Sequence, residues 1–131
     1  MQFAYTIIYS PNVPASIEFF EKAFGFKRRF VVETGDYGEL ETGATALAFA
    51  ATSLGDMHFP EGYIAAHASV KPLGMEIALV SEDVAVDHAR AVSLGATELQ
   101  SPKLMPWGQT VSYVRCPDGM LVELCSAMPS A

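Results

Sequence analysis

Residues Phe3 to Tyr9 are rich in aromatic and β-branched side chains, and their alternation sets Tyr5, Ile7 and Tyr9 on one side of a strand, Thr6 and Ile8 on the other. Pro11 and Pro14 end that strand and open a helix, where a missing backbone N–H costs nothing in the first turn. Ile17, Phe20 and Phe24 then recur at helical spacing, and Gly25 stands where a helix stops. Three strands are predicted next, at 26–32, 37–42 and 44–50, the first with Lys27, Arg28 and Arg29 along a solvated edge. Residues 53–72 carry Gly55, Pro60, Gly62 and Pro72 and read as a long loop with some helix. The pattern then restarts. Met75 to Val80 is a strand with Glu76, Ala78 and Val80 on one face, and Asp83 caps a helix over 84–94 that Gly95 closes. A short strand at 98–100 and a loop at 102–108 follow. The last feature is a hairpin of 109–116 and 120–126 turning at Pro117-Asp118-Gly119.

Tyr5 and Glu76 open the two copies of this pattern 71 positions apart, more than half of the 131 residues. Such a repeat implies two equivalent half-modules, each a strand, a helix and about three strands. The expected body is a single domain: module one at about 1–52, a connecting loop at about 53–72 and module two at about 73–131. Helix-facing positions are Ile8, Ile77, Leu79, Val122 and Leu124. The opposite sheet face carries Tyr5, Glu76 and Glu123, and carboxylates there are costly unless they meet water, a cation or a ligand.

Charge narrows the partners. A formal net charge of −7 repels phosphate backbones and anionic membrane surfaces, so neither nucleic acid nor a membrane is expected. No stretch has the length of a membrane span, and no basic segment followed by an apolar run begins the chain. Cys116 and Cys125 are too few for a disulfide scaffold and match no zinc spacing. A cytoplasmic protein with reduced thiols is expected.

Two motifs carry a family resemblance over nearly the whole chain. Asn12-Val13-Pro14-Ala15-Ser16-Ile17-Glu18-Phe19-Phe20 with Ala23-Phe24-Gly25-Phe26 is similar to the first helix of the vicinal oxygen chelate superfamily, which includes glyoxalase I, bleomycin-resistance proteins and extradiol dioxygenases. Pro106-Trp107-Gly108-Gln109 with Cys116-Pro117-Asp118-Gly119-Met120-Leu121-Val122-Glu123-Leu124 is similar to its closing hairpin, with Cys116 in place of the usual aspartate. The resemblance implies an α+β fold of two tandem βαβββ modules, their strands forming a U-shaped mixed sheet around a central pocket, helices outside. It also implies a homodimer.

Metal-dependent relatives take one ligand from the first and last strands of each module. Carried over, those places are Tyr5, Ala48, Glu76 and Glu123. Ala48 has no donor and a neutral tyrosine is a poor ligand, so no metal is favoured; if one is present, Glu76 and Glu123 hold it. His58 and His67 read as loop residues, and His88 as a packing or surface residue. The expected function is a small-molecule-binding protein without a complete metal site and with no cofactor, sequestering an aromatic or cationic compound. Its expected pocket residues are Tyr5, Ile7, Ala48, Glu76, Trp107 and Glu123, Trp107 stacking on the guest. The alternative is a divalent-metal-dependent, glyoxalase-like lyase or isomerase with Glu123 as catalytic base.

Overall fold

The computed structural model describes residues 1–130 and shows the βαβββ order twice. The first copy is β1 (Tyr5–Ser10), α1 (Val13–Phe24), β2 (Arg28–Val31), β3 (Tyr37–Leu40) and β4 (Ala46–Ala51). A connecting stretch holds α2 (Thr52–His58) and a single 3-10 turn, Ala66–Ala68. The second copy is β5 (Glu76–Val80), α3 (Val84–Ser93), β6 (Thr97–Leu104), β7 (Thr110–Arg115) and β8 (Leu121–Cys125). Each copy builds one open, four-stranded mixed sheet, in the orders β1-β4-β3-β2 and β5-β8-β7-β6. The first and last strands of each copy run parallel, and the other pairs are antiparallel. This is the α+β class, with the duplicated module, that the sequence predicts. The chain forms two compact units, Met1–Ser69 and a second from Val70 onward. No helix among the described residues is long and apolar enough to cross a membrane.

The repeat extends to single side chains at the strand-to-helix corner. Asn12 caps α1 by accepting from the Ala15 N–H at 3.1 Å, and Asp83 caps α3 by accepting from the Val86 N–H at 3.1 Å. Just before each cap, the hydroxyl of Ser10 or Ser81 accepts the cap residue's own N–H, again at 3.1 Å. Ser10 also bonds Ser16, and Ser81 donates to Asp87, one turn into each helix. Donors at a helix start have no partner within the helix, so these bonds fix where each helix begins. Gly25 ends α1 at φ 76°, a left-handed conformation that only glycine takes at no steric cost.

Beneath the helices lie the two cores. Ile17 and Phe20 of α1 are fully buried, and the Phe20 ring sits 5.2 Å from that of Phe49. Burying each such side chain contributes roughly 1.5–3 kcal/mol relative to leaving it exposed. Gly38 lets α1 lie close to β3, since an added Cβ would come within 3.3 Å of Ile17. In the second unit the place of Ile17 is taken by His88 and that of Gly38 by Ser112, both buried. His88 Nδ1 and Ser112 Oγ are 2.9 Å apart, and His88 Nε2 lies 2.6 Å from Glu98 Oε2. A polar bridge thus does in one unit what an apolar contact does in the other.

The largest boundary difference from the sequence reading is in β6. β6 runs through Leu104, where a loop was expected from Pro102, because register shifts between Glu98 and Gln100 and between Gln100 and Lys103 absorb the proline on an edge strand. The connecting stretch of 53–72 carries some helix, as the sequence reading has it: the Tyr63 hydroxyl donates to the Thr52 carbonyl at 2.9 Å, and the Tyr63 ring packs on Gly55.

Candidate functional site

Each sheet has one face under its helix and a far face turned away from it, and cross-strand register decides what the far face carries. In the second unit Glu123 pairs with Tyr113 on β7 and with Ala78 on β5, which puts Tyr113, Glu123 and Glu76 on the same face. The Tyr113 hydroxyl donates to Glu123 Oε1 at 2.6 Å. That bond, and then burial, pushes the Tyr113 phenol up to about 12, so it stays protonated and donating. Burial first, and the charge of Glu123 second, hold the Glu76 carboxyl above its ordinary range. Cys125, two residues beyond Glu123, is buried, and its thiol is raised by burial and then by Glu123. The charge that acts on Glu76 is therefore another carboxylate, not a lysine or arginine. Arg115, on the same strand as Tyr113, donates to the carbonyls of Gly119 and Val70.

In the first unit Tyr5 and Ile7 stand on the far face of β1, both substantially exposed, and Ile7 pairs with the buried Ala48. Ala48 also pairs with Glu39 on β3, so a carboxylate lies directly across from the position that lacks a donor. Glu39 is only 6% exposed, and both its oxygens are satisfied. The Tyr37 hydroxyl donates to Oε2 at 2.7 Å and Arg29 donates to Oε1 at 3.2 Å. Arg29 also grips Glu41 through two nitrogens, at 2.9 and 3.1 Å. Burial, and then the bond to Glu39, raise the Tyr37 phenol. The rings of Tyr9, Phe59 and Tyr63 cluster with centroids 5.2–6.2 Å apart.

The two units thus hold their far-face carboxylates on different strands. By register, Glu39 occupies the place of Tyr113, and Ala48 the place of Glu123. The sequence singled out Glu76 and Glu123 and missed Glu39, Tyr37, Arg29 and Tyr113. Tyr37, Glu39 and Glu41 do alternate along the chain, but only the strand pairing shows which neighbour each one faces. Trp107 lies on the turn between β6 and β7, 54% exposed, with its indole N–H donating to Gln109 Oε1 at 2.8 Å. That turn lies beyond the Cys125 end of β8, past Val111 in the register, not beside Glu123. His58 closes α2, His67 lies in the 3-10 turn, and His88 is the buried bridge described above.

The family model described as the Glyoxalase/Bleomycin resistance protein/Dioxygenase superfamily matches residues 2–124. The chain belongs to this superfamily. Among solved structures it is similar to a glyoxalase-related enzyme from Fulvimarina pelagi, with a TM-score of 0.81 and 21% identity over 97% of this chain and 88% of that one. It is similar to a glyoxalase/bleomycin resistance protein/dioxygenase family enzyme from Burkholderia phytofirmans PsJN, with a TM-score of 0.77 and 18% identity over 96% and 98% of the two chains. It also matches TioX from Micromonospora sp. ML1, with a TM-score of 0.63 and 20% identity over 96% and 98%. At these identities the likeness is one of fold. A search of curated proteins gives no match.

The superfamily's metal-dependent members raise the question whether these residues fit a divalent ion. They do not. A catalytic site of that kind needs about three protein ligands and an open position. Ala48 offers a methyl group, Glu39 across from it is held by Arg29 and Tyr37, and one oxygen of Glu123 is held by Tyr113. Among the described residues no group of three His, Cys, Asp or Glu side chains is placed to hold a metal ion.

Proposed function

We propose that this chain is a small-molecule-binding member of its superfamily that holds an aromatic cation through Glu76 and Glu123, with no metal ion taking part. The observation that carries this reading is the placement of the two carboxylates on one face of neighbouring strands, where burial and the charge of Glu123 raise Glu76 and no cation among the described residues pairs with either. Two like charges on one sheet face repel, and a positively charged guest relieves that repulsion while gaining charge-assisted hydrogen bonds. Tyr113 aligns Glu123 by donating to one of its oxygens. The net charge of −7 favours the approach of a cation.

Proflavine, a flat aromatic cation, tests this in titrations followed by the dye's own emission. The expected result is saturable one-site binding in the micromolar range, unchanged by EDTA. Glu123→Gln keeps the shape and removes the charge, and is expected to weaken binding about 10-fold, the loss of one charge-assisted contact. Absence of saturable binding sinks the proposal. So does a stoichiometric divalent ion in protein purified without chelator that disappears in Glu123→Ala.

A further inference from the structure

We infer that Tyr37 makes the far face of the first unit a hydrogen-bond-acceptor site for a planar aromatic ligand carrying an N–H donor. The inference is independent of the carboxylate pair and of ligand charge. It begins with Glu39. A carboxylate buried to this degree is costly, and a polar network there is retained at the expense of the alternative the second unit shows, where a tyrosine fills the equivalent place. Arg29 and Tyr37 each occupy one oxygen of Glu39, so the carboxylate is not itself a cation trap.

What Glu39 does is fix a proton. The Tyr37 hydroxyl has one hydrogen, and that hydrogen is committed to Glu39 Oε2 at 2.7 Å. A hydroxyl that has spent its donor keeps only acceptor lone pairs, and donation to a charged acceptor strengthens the oxygen as an acceptor in turn. Burial and Glu39 together keep the phenol from ionising, so it does not become an anion that any cation would satisfy. Tyr37 is half-buried, not fully enclosed.

The surroundings supply the aromatic half of the specificity. Phe30 pairs with Glu39, stands on the same face and holds its ring 6.0 Å from that of Tyr37. Tyr5, Ile7 and Phe30 are each 39–53% exposed. An aromatic body covers such side chains well, and only a ligand with a donor satisfies the oxygen among them. A polar group left unpaired under a ligand is what makes such a site reject the analogue that lacks the donor.

Indole and 1-methylindole differ at that one hydrogen and are both uncharged. The test is titration of the isotope-labelled full chain with each, followed through backbone amide shifts. Indole is expected to move amides of β1, β3 and β4 saturably in the millimolar range, and 1-methylindole to bind roughly 5–10-fold more weakly, the loss of one hydrogen bond. Tyr37→Phe keeps the ring against Phe30 and is expected to abolish the difference by weakening indole alone. The inference is overturned if indole moves no amide of the first sheet, if wild-type protein binds both compounds equally, or if Tyr37→Phe keeps the preference. The wild-type comparison decides the matter even if the variant fails to fold. Because neither probe is charged, failure here leaves the proflavine result standing, and the reverse also holds.

Discussion

Burial and the charge of Glu123 both make Glu76 hold its proton more tightly in the folded chain than in the unfolded one. The sign of the consequence follows from linkage. A carboxyl raised above its unfolded value of 4.5 contributes stability that is complete below that value and is lost as pH rises through the folded value. At neutral pH the ionised Glu76 is therefore a net cost. Glu76→Gln is expected to raise stability at pH 7 by about 0.5 kcal/mol, the scale of a like-charge neighbour on a sheet after solvent screening. The gain is expected to fade as pH falls toward 4, and thermal unfolding of both proteins across pH 4–8 checks it. An unchanged or lowered midpoint at pH 7 would mean that Glu123 does not act on Glu76 as the geometry implies. Both glutamates were legible in the sequence, because strict alternation forces them off the helix-facing side. Their partners were not. Tyr113 and Arg115 are both near candidates for Glu123 along the chain, and only the pairing of Tyr113 with Glu123 and of Arg115 with Leu121 separates them.

Among elements, the helices were read more fully than the strands, for a physical reason. A helix carries its start and stop signals locally, so Pro14, Asp83, Gly25 and Gly95 are readable without tertiary knowledge, while the sequence reading missed the cap Asn12. A strand's limits depend on its neighbour. β6 extends past Pro102 because β7 supplies partners as far as Thr110, opposite Leu104. The seam between α3 and its sheet gives a test at the same scale. His88, a packing or surface residue in the sequence reading, is the link between α3 and both Ser112 and Glu98. His88→Ile copies the side chain that the first unit uses there, yet leaves the fully buried Ser112 hydroxyl without its partner. The single change is expected to cost about 1–3 kcal/mol, the penalty for an unsatisfied buried group. Adding Ser112→Ala is expected to recover at least half of that. A chemical-denaturation cycle over the four proteins measures the coupling, and additive effects would show that the two side chains do not depend on one another.

At the scale of the whole molecule, charge acts over distances that no single contact spans. The excess of 15 acidic over 8 basic residues leaves the chain at −7. Several cations are already committed within the first unit: Lys22 to Glu18, Arg28 to Glu21, and Arg29 to Glu39 and Glu41. A field of this kind speeds the arrival of a positive guest and does little to hold it once short-range contacts form. Salt should therefore separate the two steps. The Debye length falls from about 30 Å at 0.01 M to about 8 Å at 0.15 M, so the field shrinks to the immediate neighbourhood of the carboxylates over that range. For proflavine, the association rate is expected to drop several-fold between those ionic strengths while the dissociation rate changes by less than about 2-fold. Stopped-flow fluorescence resolves both. A guest held by apolar contact alone would show the opposite pattern, with an association rate indifferent to salt. That pattern would remove the electrostatic basis for assigning the cation to Glu76 and Glu123.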